Sequence, residues 1–563
     1  MTLRKNKIPL LWELPVWISC GDEVFPFPQQ GAFQMAFSVR TTHRRRRKPN
    51  SKTARKQRSL QKPNGAISGR VQKVGGGKFA IVCVDPAKHR SEWMMADYFG
   101  NLLIEPQTVE HQAAFFKLAV EQIRQVQQEH DIQDAIVVVE RTGNYYLPPK
   151  RAFASAGFET RVVHPFVTKH YRVPADPGNK TDETDLYAQH RAAVAGFGLC
   201  EFELESPYRE LQLRARHRRN LVEKSAALAC QIRDHLHLAM PGYANLFCRL
   251  FETQSAWAIA HRCDSPGAVI ELGQAGMRQY LREQKIAHRT PTLDKVLTWA
   301  AQAVHDPIQD GTSHHAIWTD LHELYQHFQR KIAALEQQLA SDVVQTPYVR
   351  LLAIAGINVV SAAELAGEMG PVKHYANANA ITGRSGLFPS RHQSDQTDHG
   401  DGPIIRQANR RLRGVLMRIA DNLACHCSYY RGQAEVDHSR GIDKRASRVK
   451  IAKRFSRLAL ACVAGDEPMR HPCFKAPDSI LEKLRRFHHE HKTPMDRLLT
   501  DLDTAVDQLP YHTRGREAEL VANILEQQAS RRRGSVAIGE VLPAVLARLG
   551  IHTTNNNESG DRP

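Results

Sequence analysis

Residues 80–85 read AIVCVD, an apolar run that ends at Asp85. A second run of the same kind, AIVVVE at residues 135–140, ends at Glu140. Short continuous apolar runs are typical of strands that are buried on both faces. We therefore predict two buried strands, each with a carboxylate at its C-terminal end.

Two further acids, Asp182 and Asp185, lie in the stretch KTDETD at residues 180–185. Their offset of three positions places both on one face of a helix. Carboxylates at neighbouring strand ends, faced by such a pair, can bind hard cations, and an all-oxygen site suits Mg²⁺. A pair of these ions stabilises both the attacking and the leaving oxygen of a phosphodiester. We predict that all four acids are catalytic and ligate two Mg²⁺ ions; the alternative for each acid alone is a solvated strand end or a helix cap.

The region around these acids alternates between strand-like and helix-like patterns. Apolar positions at a 4-3-4-3 spacing predict a helix, and they are Val109, Ala113, Phe116, Val120 and Ile123. Residues 160–163, TRVV, predict a further strand. Strands that alternate with helices indicate an α/β sheet domain.

The composition of the chain favours a soluble protein that binds a polyanion. Its 563 residues include 77 Lys and Arg against 59 Asp and Glu, a formal net charge of +18. Each phosphate that such cations neutralise adds affinity through counterion release. No apolar stretch approaches the roughly 18 residues of a membrane span, and the scattered cysteines fit a reducing compartment. We predict a cytoplasmic protein with no membrane partner.

Residues 1–75 carry a dense block of cations, including RRRRK at residues 44–48, with few apolar residues. Segments of this composition cannot bury enough apolar surface to fold. We predict a disordered extension over 1–75, which is either a basic arm that binds nucleic acid or a solvated tail.

Residues 206–345 change to a helical pattern with a heptad-like seam. The apolar positions of this seam are Trp318, Leu321, Tyr325, Phe328, Ile332, Leu335 and Leu339. An earlier helix around Leu221, Leu228 and Ile232 is a plausible antiparallel partner, so the seam either closes a hairpin within the chain or joins two copies. The first turns of that earlier helix carry Arg209, Arg214, Arg216, Arg218 and Arg219. Because few acids are near them in sequence, we predict phosphate contacts; the alternative is a solvated helix face.

A second compact unit begins at residues 351–357, LLAIAGI, and continues in a helix from Ser361. A helix, a glycine turn and a helix resemble a helix-hairpin-helix, which presents backbone amides to a phosphate. We predict that this unit is helical throughout, apart from a polar loop near residues 389–403.

Three acid-bearing stretches together resemble the DEDD transposases of the insertion-sequence 110 family. They are VDPAK at 84–88, ERTGNY at 140–145 and KTDETD at 180–185. The resemblance implies a RuvC-like, ribonuclease-H-type α/β domain followed by a helical coiled-coil insertion. It also implies a second, mostly helical transposase domain that bears a catalytic serine.

The stretch GLFPSRHQS at residues 386–394 is similar to the serine loop of that family. By this resemblance Ser394 is the nucleophile, with Ser390 as the alternative, and Asn409, Leu412 and Arg413 match a downstream helix of the family. We expect Asn409 and Arg413 to contact nucleic acid. Asp395 and Ala408 depart from the family pattern, which calls the activity into question because an acid repels phosphate.

The resemblance implies a bacterial, nucleoid-associated DNA transposase that cleaves and rejoins strands through a phosphoserine. Its partners would be DNA, a bridging noncoding RNA, and further copies of the chain in a dimer or tetramer. The alternatives are a metal-dependent junction-resolving nuclease, which needs the acids but not Ser394, and an inactive nucleic-acid-binding relic. The predicted segments are the extension at 1–75, the RuvC-like domain at 76–203, the coiled-coil linker at 204–345, the serine-bearing domain at 346–466 and an extension of unknown role at 467–563.

Overall fold

A computed structural model describes residues 65–172, 181–201, 203–304, 311–394, 397–399, 402–406, 408–467, 469–475 and 478–509, with the backbone alone over 392–394 and 397–399. The chain divides into two compact units, one up to Cys200 and one from Glu201. Apart from residues 65–75, the predicted extension at 1–75 lies outside the described residues. No helix in the described ranges is both long and apolar enough to cross a membrane.

A five-stranded mixed sheet forms the centre of the first unit. Its strands are β1 (Phe79–Pro86), β2 (Arg90–Asp97), β3 (Leu102–Glu110), β4 (Asp134–Glu140) and β5 (Glu159–Val163). They lie in the order β3-β2-β1-β4-β5. The β1–β4 and β4–β5 pairs are parallel, whereas β1–β2 and β2–β3 are antiparallel. This mixed α/β architecture is consistent with the expected RuvC-like fold.

The three strands predicted from the sequence are confirmed as β1, β4 and β5. Alternate residues of β1 enter two cores on opposite faces of the sheet. Val82 and Val84 pack with Phe116 and Ile123 on one face, while Cys83 packs with α5 on the other. Burial on both faces explains the uninterrupted apolar run of this strand.

The helices of the first unit are α1 (Ser68–Val74), α2 (Ala113–Glu129), α3 (Leu147–Ser155), α4 (Pro165–Tyr171) and α5 (Asp182–Val194). The prediction that Val109 belongs to a helix was wrong, because Val109 lies in β3 and α2 begins only at Ala113. The buried Val109 side chain belongs to the same core as α2. The four-residue interval from Val109 in the strand to Ala113 in the helix therefore matches a helical spacing by coincidence.

The prediction of disorder over 1–75 was wrong for its last residues. Ile67 is buried, and α1 follows it. Arg70 in α1 donates from Nε to Asp134 Oδ2 at 2.8 Å and from Nη1 to Glu159 Oε2 at 2.7 Å. These contacts attach α1 to the beginnings of β4 and β5.

The second unit begins with a long antiparallel hairpin of α6 (Tyr208–Ala239) and α10 (Gly311–Val343). Hydrogen bonds join Arg214 to Asp342 near one end and His235 to His314 near the other. Between the two helices, α7 (Gln254–Arg262), α8 (Pro266–Glu283) and α9 (Thr290–Gln302) build a separate apolar core on the far end of the hairpin. The predicted seam therefore lies within the chain.

The rest of the second unit is helical around one large core. Its helices are α11 (Val359–Met369), α12 (Ala378–Ser385), α13 (Arg410–His426), α14 (Ser428–Ser439), α15 (Lys444–Ala464), α16 (Asp478–Glu490) and α17 (Met495–Asp507). The predicted polar loop contains a small hairpin of β6 (His392–Ser394) and β7 (Thr397–His399). Residues beyond 467, for which no role was predicted, contribute α16 and α17 to this core.

Candidate functional site

Asp85 and Glu140 lie side by side at the same edge of the sheet. In the parallel β1–β4 pair Val84 is opposite Val139, so the next residues on the two strands are these acids. Asp85 and Glu140 lie two residues after Cys83 and Val138, whose side chains pack in the core that α5 covers. Side chains two positions apart in a strand point to the same face, so both acids lie on the face that α5 covers. Each acid is half-buried. The sequence predicted this juxtaposition correctly, since parallel strands end at a common edge.

Asp182 and Asp185 lie in the first turn of α5, which packs against β1 and β4. Thr181 caps this helix, and its side chain and that of Thr184 form a reciprocal capping box. Acids in the first turn of a helix also interact favourably with the helix dipole. The two acids differ in environment, because Asp182 is exposed whereas Asp185 is 2% exposed.

Arg172 forms a bidentate ion pair with the buried Asp185. Its Nε lies 2.5 Å from Asp185 Oδ1, and its Nη2 lies 2.9 Å from Oδ2. The hydrogen bonds that Arg172 donates to Asp185 raise the pKa of Arg172, and the charges of Asp185, Glu140 and Asp85 raise it further. Three of the four predicted acids therefore act on one guanidinium. Sequence reasoning missed Arg172, because nothing in its local pattern marks it.

The four acids suit a hard divalent cation by their chemistry. All are oxygen donors, and a cationic group, Arg172, already lies among three of them. In the described ranges no three His, Cys, Asp or Glu side chains are close enough together to hold a metal. Metal binding by this set would therefore require Asp185 to release Arg172 and the acids to draw together.

Ser394 is the last residue of β6, and its backbone pairs with Thr397 across the hairpin. Its side chain and the neighbouring Asp395 lie outside the described residues. The alternative nucleophile, Ser390, is half-buried, and its backbone bonds to Pro403 and Gly402. A Cβ on Gly402 would lie only 2.3 Å from Ser390 Oγ, so that hydroxyl packs closely against a glycine.

Asn409 and Arg413, which we expected to contact nucleic acid, have structural partners within the unit. The Asn409 side chain caps α13 by accepting from the backbone of Arg411 and Leu412. Arg413 donates from Nε to the Ser385 carbonyl at 2.8 Å and also bonds to the Ile405 carbonyl. These contacts explain the Asn-x-x-Leu-Arg pattern as a cap, a core leucine and a loop anchor.

Ala408, one of the departures from the family pattern, is accommodated by Gly386. The latter ends α12 in the left-handed conformation, with φ of 63°. A Cβ there would lie 2.6 Å from the Ala408 Cβ and 2.5 Å from Arg413 Nη2. Because Gly386 has no side chain, the methyl group of Ala408 fits against it without a clash.

Three arginines at the start of α6 form ion pairs with acids that are far from them in the sequence. Arg214 pairs with Asp342 of α10, and Arg216 pairs with Glu368 of α11 at 2.7 Å. Arg218 bridges Glu336 and Glu364, at 2.5 and 3.3 Å. The premise that few acids surround this cluster was wrong, because acids from two other helices meet it.

The remaining arginines of the cluster are more accessible. Arg209 is exposed in the first turn of α6. Arg219 is 43% exposed and pairs with Glu223 one turn along the same helix. Phosphate contact by the five arginines stays a prediction, and it suits these two better than the three that bind buried carboxylates.

Backbone carbonyls at the predicted glycine turn before α11 accept hydrogen bonds from a lysine side chain. Lys483 of α16 donates to the carbonyls of Ile354 and Ile357 at 2.7 and 3.0 Å, and burial lowers the pKa of Lys483 to about 8. A Cβ on Gly356 would lie 2.8 Å from the Asn422 carbonyl of α13, so the turn is packed against that helix. The segment before the turn, Pro347–Ala353, is a 3-10 helix. This environment differs from the amide-presenting phosphate site that we expected.

Two segments of the chain match models of transposase families. Residues 82–241, which contain the four acids and the α6 arginines, match the DEDD model of insertion sequence 110, described as a transposase. Residues 348–436, which contain Ser394, match the model described as transposase IS116/IS110/IS902 family. No curated protein matches the chain. Together the two matched segments support a transposase of the IS110/IS116 type.

Proposed function

We propose that this protein is a DNA transposase that cleaves and rejoins strands with the four acids of the first unit and Ser394 of the second. The observation that carries the proposal is the placement of Asp85 and Glu140 side by side under α5, with Asp185 buried in the first turn of that helix. The match of the same segment to a transposase family supports DNA as the substrate.

The acids would hold divalent cations that polarise the scissile phosphate and favour deprotonation of the nucleophile. In the reaction, Ser394 Oγ attacks phosphorus and its proton passes to solvent water. The P–O bond to the leaving deoxyribose oxygen breaks, and that oxygen takes up a proton. The strand is then held as a phosphoserine, and the reverse attack by a deoxyribose hydroxyl rejoins DNA without an external energy source.

Arg172 would leave Asp185 when cations bind, since both compete for the same carboxylate oxygens. A released guanidinium next to the site is then available to a phosphate, for which its planar donor pattern is well suited. The net charge of +18 supports a nucleic-acid partner of this kind. We further propose that a noncoding RNA supplies sequence recognition and that the active assembly contains several copies of the chain.

Covalent trapping tests the mechanism. The full chain is incubated with Mg²⁺ and a labelled DNA fragment that spans the flank of its gene, and the products are separated on a denaturing gel. We expect a protein–DNA adduct, which Asp85→Asn and Ser394→Ala abolish and which Ser390→Ala, the matched control, retains. Peptide mass mapping locates the attached nucleotide.

The possible outcomes separate the proposal from its rivals. An adduct on Ser390 would move the nucleophile by four positions within the same loop, and an adduct on tyrosine would contradict the serine mechanism. Metal-dependent cleavage without an adduct would identify a hydrolytic nuclease. An absence of both cleavage and adduct would favour the inactive relic.

A further inference from the structure

A cleft of about 360 Å³ lies between α14, α15 and the segment around His471. Its walls include Tyr429, Tyr430, Arg454, Arg457 and His471. Three aromatic or imidazole rings and two guanidinium groups thus face one opening. This volume is within the range of small-ligand pockets, about 300–1,000 Å³.

The aromatic wall has a fixed arrangement. The ring of Tyr429 meets that of His471 edge to face, with centroids 4.7 Å apart, and meets that of Tyr430 in the same manner at 5.1 Å. The Nδ1 atom of His471 accepts the backbone N–H of Cys473 at 3.3 Å. The same nitrogen lies 2.9 Å from Cys473 Sγ, so two contacts to Cys473 hold the orientation of the imidazole ring.

The basic face of α15 borders this cleft. Its residues Lys450, Lys453, Arg454 and Arg457 follow the i, i+3, i+4, i+7 spacing of one helix face. Lys450 is neutralised by Asp437 at 3.0 Å. Arg454 instead bonds to the neutral amide of Gln433, and Arg457 is exposed. Within the described ranges neither arginine forms an ion pair with a carboxylate, in contrast to Arg214, Arg216 and Arg218. Arg454 does act electrostatically on Asp437, the carboxylate that Lys450 binds.

Arginines without an ion pair, beside an aromatic ring that lines an open cleft, are the combination with which proteins bind single-stranded nucleic acid. Stacking on a ring requires an unpaired base, and guanidinium groups bind the flanking phosphates. We propose that this cleft binds one nucleotide of a single-stranded nucleic acid, with its base stacked on Tyr429 and its phosphates on Arg454 and Arg457. The identity of the ligand class rests on the proposed function.

This site extends beyond the segment that matches a transposase family. That match ends at residue 436, so it includes Tyr429 but not Arg454, Arg457 or His471. The cleft is therefore assembled from α14 inside the matched segment and from elements after it. A displaced DNA strand and an RNA loop could both supply such a nucleotide, and they are distinguished below.

Fluorescence anisotropy with the full chain tests the proposal. The probes are a labelled single-stranded DNA, an RNA of the same sequence and the corresponding DNA duplex, all in EDTA so that no strand is cut. We expect Tyr429→Leu to weaken single-strand binding by roughly tenfold, in keeping with the loss of one stacked base. Tyr429→Phe keeps the ring and should bind within about twofold of the unmodified chain.

Arg457→Ala should flatten the slope of log affinity against log salt by about 0.7. The matched control is Arg282→Ala, which removes another exposed arginine, from α8, and should leave the slope unchanged. Thermal melting of each variant checks that it is folded. Whichever single strand, DNA or RNA, shows the stronger dependence on Tyr429 is the source of the nucleotide.

Three results would overturn the proposal. They are unchanged binding by Tyr429→Leu, equal losses for Tyr429→Phe and Tyr429→Leu, or equal slopes for Arg457→Ala and Arg282→Ala. Duplex DNA that binds as tightly as the single strands, with the same dependence on Tyr429, would also exclude base stacking. Because the assay needs neither metal nor cleavage, it can fail while the adduct test succeeds, and the reverse also holds.

Discussion

Arg172 places a guanidinium among the carboxylates of the first unit. It binds both oxygens of Asp185 and is within the electrostatic influence of Glu140 and Asp85. Carboxylates that lie near one another repel, and a positive charge among them reduces that repulsion. Under the proposed function, a bound divalent cation would take over this role from Arg172.

We predict that Arg172→Gln increases the affinity for Mn²⁺ or Mg²⁺ by roughly tenfold, because a competing charge-assisted hydrogen bond is lost. In EDTA the same variant should be less stable by about 1–3 kcal/mol, because Asp185 is left buried without its partner. Isothermal titration calorimetry without DNA measures the first effect, and chemical denaturation measures the second.

The matched control for Arg172→Gln is Arg191→Gln. Arg191 is an exposed arginine on α5 that bonds only weakly, at 3.3 Å, to the Tyr171 carbonyl. It should change neither the metal affinity nor the stability by a measurable amount. A metal affinity of Arg172→Gln equal to that of the unmodified chain would show that Arg172 does not compete for the carboxylates.

At the scale of elements, the α6–α10 hairpin is fixed by ion pairs that join it to α11. Arg216 on α6 holds Glu368 of α11, a carboxylate that is only 5% exposed. Arg218 connects all three helices through Glu336 and Glu364. A buried carboxylate that loses its partner is costly, so these arginines constrain how the three helices pack.

We predict that Arg216→Gln destabilises the second unit by at least about 1–3 kcal/mol, because Glu368 is left unpaired. Arg219→Gln removes an exposed pair one turn apart and should cost about 0.3–0.5 kcal/mol. Urea denaturation monitored by circular dichroism compares the two. If Arg216→Gln instead leaves stability unchanged and flattens the salt dependence of nucleic-acid binding, the original prediction of phosphate contact would hold for Arg216.

The helical core at the far end of the hairpin contains a buried histidine. His322 is 2% exposed, stacks on Trp257 at 3.9 Å between centroids, and bonds through Nδ1 to His261 Nε2 at 2.8 Å. Burial, and then the neighbouring His261, lower the pKa of His322 to about 4. Burial also lowers the pKa of His261, with a further contribution from His315.

This depressed pKa predicts a loss of stability in acid. Between about pH 6.5 and 4 the unfolded chain binds a proton at His322 that the folded chain does not, so stability falls as the pH falls through that window. Above about pH 6.5 the contribution is fully present. His322→Phe removes the titrating group, and its melting temperature should fall less steeply between pH 6.5 and 4.5 than that of the unmodified chain.

Comparison of the two proteins isolates His322 and its partner His261 from the other titrating groups. His491, for example, has the opposite sign, because its bond to Glu336 at 2.7 Å raises the pKa of His491. That contribution is the same in both proteins and cancels in the difference. If the melting temperatures of the two proteins fall equally with pH over this range, His322 does not cause the loss of stability in acid.

For the whole molecule, the main core of the second unit depends on residues far along the chain. Leu481 and Leu484 of α16, with Leu499 and Leu502 of α17, are fully buried in the same core as Leu351 and Leu365. Removing one buried leucine side chain typically costs about 2–5 kcal/mol. α16 and α17 are therefore part of the fold of this unit.

We predict that a chain ending at residue 475 does not fold cooperatively in its second unit, because the leucines that cover the core are missing. A chain ending at residue 509, the matched control, should retain the thermal transition of the full protein. Calorimetry and binding of a hydrophobic dye compare the two. A cooperative transition at the same temperature in the shorter chain would show that α16 and α17 are dispensable.

Much of the first unit was predictable because the signals are local. A strand that is buried on both faces needs an apolar run such as residues 135–139. Parallel pairing of β1 and β4 then brings Asp85 next to Glu140. By contrast, β2 and β3 were not predicted. In β3 charged and polar residues interrupt the apolar ones because much of the strand is at least partly exposed. In β2 the uninterrupted apolar run is only Trp93–Ala96, with charged residues on both sides, which is a short signal.

The sequence by itself thus determined the buried strands, the two acids at their ends, the acid pair on α5 and the apolar seam of the hairpin. Tertiary structure alone decided which charges are neutralised. Arg216 and Glu368 are 152 positions apart, and Arg172 reaches three acids from separate elements. An apolar pattern records burial along one element, whereas an ion pair depends on a distance between elements, and that distance exists only once the chain has folded.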